Sequence, residues 1–133
     1  MAEFHEQVIV VQALTMAGVT FSGSLNGCKL TKGQAGKAKA AGMVAGDPDL
    51  VIWDTPPAHP DRKGMCVEMK IREKAPKTDR AMRWAGAEVH QRARLEVLER
   101  AGFLCVVAYG ADDALEKIRA AGYPLPLMPR VAR

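Results

Sequence analysis

Two apolar stretches of the sequence contain residues that can do acid–base chemistry. Asp49 stands directly before a Leu-Val-Ile-Trp run, and Glu68 and Lys70 alternate with apolar residues between positions 65 and 71. Because alternate residues of a strand share a face, Glu68 and Lys70 are predicted to point together, away from the apolar side. Burying an acid and a base without purpose costs free energy, so this placement indicates a function. Asp49 is expected beside Glu68 if the two strands pair through the loop between them.

Two carboxylates that converge at strand ends can hold a hard divalent cation, Mg²⁺ or Mn²⁺. We expect Asp49 and Glu68 to supply carboxylate oxygens and the backbone carbonyl of Met69 to supply a third ligand. Such a cation lowers the pKa of a bound water and stabilises charge on a phosphate, while Lys70 can orient the water or stabilise the attacked phosphodiester. The alternative is an exposed Glu68–Lys70 pair at a sheet edge, since this spacing is common in proteins.

The composition is that of one globular domain and excludes several other classes of protein. The chain has 133 residues, of which 48% are hydrophobic and 26% charged. No apolar run approaches the roughly 20 residues of a transmembrane helix, and the N-terminus lacks a signal-peptide pattern, so we expect an intracellular protein. Three separated cysteines and three histidines argue against a zinc site or a disulfide framework. A catalytic metal would therefore need oxygen ligands.

Hydrophobic periodicity and the positions of glycine and proline predict the elements that hold these residues. Helices are predicted over residues 3–17, 32–41, 78–101 and 111–121. Strands are predicted over residues 19–24, 49–54, 65–71 and 103–109. Thr31 is the expected N-cap of the second helix, Gly42 its end, and Asp112 lies near the expected cap of the last helix. The last strand is apolar throughout and is expected to be buried on both faces. This order predicts an α/β domain with a mixed sheet flanked by helices.

The net charge of +4 is unevenly distributed along the chain. One basic group precedes Asp49 and contains no acid, and a second follows Glu68. Basic clusters are more often solvated faces than binding sites, but two that flank a candidate acidic site indicate a polyanionic ligand, with solvated faces as the alternative. Sequence-independent contacts to DNA phosphates are predicted for Lys29, Lys32, Lys37, Lys39, Arg72 and Arg83. On the predicted long helix Arg80, Arg83, His90 and Arg94 fall near one stripe, which would make a second track for the DNA backbone.

Several of these segments occur in an order typical of one enzyme family. They are Leu25-Asn26-Gly27-Cys28-Lys29, then Gly46-Asp47-Pro48-Asp49-Leu50, Val67-Glu68-Met69-Lys70, and a helix pattern from Gln91 to Gly102. The chain resembles the VRR-NUC branch of the PD-(D/E)xK nuclease superfamily, in the short stand-alone form of phages and bacteria. The resemblance implies a restriction-endonuclease-like fold, with a nuclease domain over residues 1–122 and a proline-containing tail over residues 123–133. It also implies hydrolysis of DNA phosphodiesters in the cytoplasm of a bacterial or phage-infected cell.

The resemblance also implies roles for particular residues. Asp49 and Glu68 match the metal-binding acids, Lys70 matches the catalytic lysine, and Gln91 matches a helix glutamine that faces the active site. The family's N-terminal helix contributes a further acid. Glu3, four residues before a glutamine, fits that pattern better than Glu6, and both could instead be simple first-turn acids. Asp47 departs from the family, which often has a neutral residue there, and is either an outer-sphere acid or a loop residue.

The substrate is predicted from the size of the domain and from the resemblance. Relatives that resolve four-way junctions act as symmetric dimers, and a two-fold dimer places two sites on opposed strands. We therefore expect a homodimer that cuts Holliday junctions or other branched DNA. The alternatives are a monomeric nicking or end-processing nuclease, and a DNA-binding accessory protein that does not cleave.

Overall fold

A computed structural model describes residues 2–24, 30–78 and 81–126 of the chain. The helices are α1 (Ala2–Ala17), α2 (Lys32–Ala40), α3 (Val89–Arg100) and α4 (Ala111–Ala120). The strands are β1 (Phe21–Gly23), β2 (Leu50–Ile52), β3 (Met65–Lys70) and β4 (Leu104–Tyr109), and a 3-10 helix covers Arg72–Lys74. No helix in these described ranges is long and apolar enough to cross a membrane.

The four strands form one mixed sheet in the order β1-β2-β3-β4. β1 pairs with β2 and β2 with β3 in antiparallel orientation, and β3 pairs with β4 in parallel. A parallel pair needs a crossover connection, and α3 supplies it between β3 and β4. In the β2–β3 register Leu50 lies opposite Val67, so Asp49, one residue earlier, falls opposite Glu68.

Both faces of the sheet are covered, which positions the polar residues of β3. Val67 and Met69 of β3 pack with α1 and α4 in the larger core cluster. Cys66 lies on the other face, in a smaller cluster with Leu95 of α3 and with Cys105 and Val107 of β4. Ala108 of β4 lies in the larger cluster, so both faces of β4 pack against the core, as predicted. Glu68 and Lys70 share the α3 side of the sheet with Cys66, because side chains alternate along the strand.

The start of the predicted tail packs on the domain. Tyr123 and Leu125 are buried in the larger core cluster. The hydroxyl group of Tyr123 donates a hydrogen bond to the backbone carbonyl of Asp54. The remaining residues of the tail, 127–133, lie outside the described ranges.

The long helix predicted over residues 78–101 is wrong in its first half, because α3 begins only at Val89. Trp84 and Gly86 have φ values of 60° and 87°, which an α-helix cannot accommodate. Glu88 is extended, and it starts the helix through a capping box with Gln91. Arg83 therefore does not share a helix face with His90 and Arg94, so the predicted stripe is wrong for this residue, and Arg80 lies outside the described residues.

Helix α2 begins at Lys32 as predicted and ends one residue before the predicted Ala41, but it has no buried face. The Thr31 hydroxyl accepts a hydrogen bond from Gln34 N at 3.1 Å, and the Gln34 side chain accepts one from Thr31 N at 2.9 Å. Gly42, with φ 105°, follows the last turn. None of the nine residues of α2, all of them described, is buried. Its caps, and not packing against the core, define this helix.

Candidate functional site

The two predicted metal-binding acids lie side by side inside the protein. Asp49 and Glu68 are 8% and 2% exposed. A carboxylate oxygen of Asp49, Oδ2, accepts a hydrogen bond of 2.7 Å from the backbone N–H of Met69. This bond fixes Asp49 across the β2–β3 pair, where the strand register already places it opposite Glu68. The sheet thus brings together two carboxylates that are 19 residues apart in sequence.

Lys70 and Gln91 both approach one oxygen of Glu68. The ammonium nitrogen of Lys70 lies 3.8 Å from Glu68 Oε2, and Lys70 is only 5% exposed. The Gln91 side-chain amide donates to the same oxygen at 3.1 Å. The Gln91 carbonyl oxygen accepts from Glu88 N at 2.8 Å, so one side chain both caps α3 and contacts the acid pair. The alternative of an exposed Glu68–Lys70 pair is excluded by the burial of both residues.

The second carboxylate oxygen of Glu68, Oε1, lies inside the protein. Glu68 Oε1 is buried and lacks a hydrogen bond among the described residues. Burial, followed by the charge of Asp49, raises the pKa of Glu68 from its ordinary value of 4.5 to about 9. Burial also raises the pKa of Asp49, while the hydrogen bond from Met69 lowers it. Two neighbouring buried carboxyls with raised pKa values and an unpartnered oxygen form a set of groups that a divalent cation fits.

The backbone carbonyl of Met69 points toward the same place. The carbonyl of Lys70 accepts a hydrogen bond from Gly110 N on the β4 side of β3. Successive carbonyls of a strand point to opposite neighbours, so that of Met69 is directed to the β2 side, where Asp49 lies. Within the described ranges no three His, Cys, Asp or Glu side chains are grouped to hold a metal ion. A cation here would therefore depend on two carboxylates, this carbonyl, and water or substrate oxygens.

The two candidate acids of α1 have different surroundings. The charge of Glu3 raises the pKa values of both Asp49 and Glu68, so Glu3 lies within electrostatic reach of the pair. Glu6 Oε2 instead accepts a hydrogen bond of 2.8 Å from Ala111 N, at the start of α4. The predicted cap of α4 near Asp112 is therefore wrong: Gly110 is the N-cap residue, without a side-chain cap bond, and Glu6 takes the free N–H.

Comparison with known proteins identifies the fold. No protein-family model matches the sequence, and no curated protein matches it. A solved structure described as a "VRR_NUC domain protein" matches 92% of this chain and 88% of its own length, with a TM-score of 0.60 and 23% sequence identity. The chain has the fold of a VRR_NUC domain. The predicted α/β class with a mixed, helix-flanked sheet is thereby confirmed, as is the predicted similarity in fold.

Of the basic residues predicted to contact DNA, some are exposed and others are paired with acidic side chains. Lys32, Lys37 and Lys39 are exposed on α2, whereas Lys29 lies outside the described residues. Arg72 is half-exposed and lies 3.8 Å from Glu6 and 4.0 Å from Asp112, so it links the 3-10 helix to α1 and α4. Arg83, also predicted to contact DNA, bonds to Glu99 of α3 at 2.6 Å and stacks on Trp84. Contact of any of them with DNA stays a prediction.

One feature of the site was missed by the sequence analysis. Arg94 Nε of α3 lies 2.5 Å from Asp47 Oδ1, two residues before Asp49. Asp47 already differed from the family pattern, but its partner is 47 residues away and could be found only from the packing of α3. Arg94, predicted as part of a DNA-facing stripe, is instead paired with an acid.

Proposed function

We propose that this protein is a Mg²⁺- or Mn²⁺-dependent deoxyribonuclease that hydrolyses phosphodiester bonds at the Asp49–Glu68 pair. The observation that carries the proposal is the buried Oε1 of Glu68, which accepts no hydrogen bond from the described residues and lies beside a second buried carboxylate and a buried lysine. Such a set of groups is costly in a metal-free core and becomes favourable around a cation. The description of the structural neighbour as a VRR_NUC domain protein supports the same class of activity.

Asp49, Glu68 and the Met69 carbonyl are the groups that would hold the cation. When bound, a divalent cation supplies an activated water and stabilises negative charge on the attacked phosphate. Gln91 orients Glu68 by donating to Oε2, while Oε1 accepts no hydrogen bond from the described residues and is available as a ligand. Glu3 adds a further negative charge near the pair.

Lys70 is the proposed catalytic residue that supplies positive charge from a side chain, in addition to the metal ion. Its ammonium group is held on the same face as Glu68, in a region from which water is largely excluded. A buried ammonium group interacts with charge on a phosphate more strongly than an exposed one, because solvent screens it less. From this position Lys70 can donate hydrogen bonds to the attacking water or to a non-bridging phosphate oxygen.

Affinity for DNA is assigned to the exposed lysines of α2, with Arg72 and Arg83 as further candidates. The net charge of +4 supports binding to a polyanion, and three of the lysines are exposed on one nine-residue helix. Branched DNA, including Holliday junctions, is the proposed substrate, cut by a homodimer. A two-fold dimer would match the symmetry of a four-way junction.

The competing functions are separated by one cleavage experiment. The protein is incubated with an end-labelled four-way junction and with a matched linear duplex, with and without Mg²⁺ or Mn²⁺, and its mass in solution is measured by light scattering. Metal-dependent cutting of the junction by a dimer supports the proposal. Equal cutting of both DNAs by a monomer supports a nicking or end-processing nuclease. Binding without any cutting supports a DNA-binding accessory protein.

A further inference from the structure

An ion pair joins the loop that carries Asp49 to helix α3. Arg94 Nε and Asp47 Oδ1 are 2.5 Å apart, and their side chains are 31% and 29% exposed. Asp47 is separated from Asp49 by a single buried proline. A displacement of Asp47 is therefore transmitted to Asp49 through a short and stiff segment of backbone.

The backbone of the same loop lies directly against the first turn of α3. Gly46 is buried and has φ 87°, and a Cβ at this position would lie 2.9 Å from the carbonyl oxygen of His90. Only glycine permits both this conformation and this approach. The Asp47–Arg94 ion pair therefore joins two segments, the loop and α3, whose backbones are already in contact.

The first two turns of α3 contact both acid-bearing segments. Gln91 donates to Glu68 on β3, and Arg94, one turn later, pairs with Asp47 before β2. Residues three apart lie on the same side of a helix, so the two contacts come from one face. This face of α3 spans the two strands whose acids form the candidate metal site.

We propose that Asp47 and Arg94 are positioning residues, whose ion pair holds Asp49 at the spacing from Glu68 that a divalent cation requires. This inference rests on the proposed function, because it assumes a cation at the acid pair. The pair acts on Asp49 through the backbone and does not itself touch the cation. Arg94 is the partner of the acid at position 47, where the resembling family often has a neutral residue.

The expected signature is a large effect on metal affinity with a small effect on stability. A partly exposed ion pair contributes little to folding, so its loss should lower the melting temperature by about 4 °C or less. Groups that orient metal ligands, in contrast, typically change metal affinity by about tenfold or more when they are removed. Loss of an ion pair with only a structural role would lower the melting temperature without a large loss of metal affinity.

The test measures Mn²⁺ affinity by calorimetry on the full chain, together with the melting temperature. Asp47→Asn and Arg94→Gln should each weaken Mn²⁺ binding by about tenfold. The double variant should be no weaker than either single variant, because the two side chains act as one unit. Arg94→Lys, which keeps the charge, should recover most of the affinity.

A second ion pair of similar exposure provides the control. Asp113 and Lys117 of α4 are 2.8 Å apart, and their side chains are 32% and 35% exposed. Asp113→Asn should leave Mn²⁺ affinity unchanged, even if it lowers the melting temperature as much as Asp47→Asn does. An equal loss of Mn²⁺ affinity in this control would overturn the proposal, since any surface ion pair would then have the same effect.

The remaining outcomes separate the positioning role from the proposed function. If Asp49→Ala abolishes Mn²⁺ binding while Asp47→Asn and Arg94→Gln bind as the wild type does, the positioning role is overturned and the proposed metal site stands. Additive losses in the double variant would show that the two residues act independently, which also overturns the role of the pair. If the wild-type chain binds no Mn²⁺, both the positioning role and the proposed function fail.

Discussion

Strand β3 and helix α2 carry the charges that the proposed function needs, and the protein holds them in opposite ways. All six residues of β3 are buried, including Glu68 and Lys70. None of the nine residues of α2, each of which the structure describes, is buried, and its three lysines face solvent. The charges of β3 are fixed by neighbouring elements, whereas those of α2 are free to follow a ligand.

This difference assigns the cleavage reaction to β3 and the affinity for DNA to α2. Buried charges that neighbouring residues hold in place interact strongly with a reacting phosphate, because little solvent screens them. They cannot easily reach the many phosphates of a large polyanion. Exposed lysines can reach many phosphates, and their contribution is weakened by salt. We therefore expect variants in β3 to change the cleavage rate, and variants in α2 to change DNA binding.

The largest effect is expected from the buried residues of β3. Glu68→Ala or Lys70→Ala should lower the cleavage rate by on the order of 10²–10³-fold or more, because each removes a group that acts on the reacting phosphate. DNA binding, measured by fluorescence anisotropy in parallel, should stay within about twofold, since a single fixed charge adds little to affinity. Lys74→Ala, at an exposed lysine of the neighbouring 3-10 helix, is the control and should cleave normally. Unchanged cleavage in the β3 variants would contradict the assignment.

The next effect is expected from the exposed helix. Neutralising Lys32 and Lys37 together should weaken DNA binding. The negative slope of log affinity against log salt should become shallower by about 2, one unit for each lost phosphate contact. Cleavage at saturating DNA should not change. Lys63→Gln, at an exposed lysine in the loop before β3, should leave the slope as it is. An unaltered slope in the α2 variant would show that this helix faces away from the DNA.

A smaller effect is expected in the pH dependence of stability. The pKa of Glu68 is raised in the folded protein to about 9, so the folded state holds its proton more tightly than the unfolded state. This contribution is complete below pH 4.5 and is lost as the pH rises through about 9. The melting temperature of the metal-free protein should therefore fall between about pH 6 and pH 9, and Glu68→Gln should flatten that decline.

The same series gives two checks on the acid pair. Saturating Mg²⁺ or Mn²⁺ should remove the decline in the wild type, because the cation favours the ionised carboxylates. Chelation of the cation should restore it. Identical slopes for the wild type and Glu68→Gln, without metal, would mean that Glu68 ionises as freely in the folded protein as in solution.

The smallest effect is expected from the glycines of α2. A Cβ at Gly33 or Gly36 would meet no atom within 4 Å, so alanine fits and should stabilise the helix by about 1 kcal/mol at each position. If DNA binds the helical form, Gly33→Ala and Gly36→Ala should tighten binding by a few-fold, measured by anisotropy. Gly42 has equally open surroundings but φ 105°, so Gly42→Ala should weaken the end of the helix instead. The same response in all three variants would contradict a role for α2 as a helix.

The sequence was sufficient to predict the features that depend on local pattern. Alternation along residues 65–71 identified the shared face of Glu68 and Lys70, and the capping residue Thr31 and Gly42 located α2 within one residue. These features are decided by neighbouring residues, through strand geometry and helix termini. The opposition of Asp49 and Glu68 was predicted as a condition on strand pairing, and the register meets that condition.

The features that the sequence analysis missed depend on distant packing. The stretch around residues 81–87 has helix-compatible composition, but Trp84 contacts Cys105 of β4 through its indole N–H and adopts a positive φ there. Tertiary contacts override helix propensity in such cases. The Asp47–Arg94 pair and the role of Glu6 at the start of α4 likewise join segments that local patterns cannot relate.

The central claim is that the buried acid pair acts through a divalent cation on a DNA phosphodiester. The most direct measurement is the cleavage rate of an end-labelled four-way junction as Mn²⁺ is titrated, for the wild type and Asp49→Ala side by side. We predict cleavage that rises with Mn²⁺ to saturation in the wild type, disappears on chelation, and is absent from Asp49→Ala at every concentration. Cleavage that persists with chelator, or that Asp49→Ala retains in full, would contradict the claim.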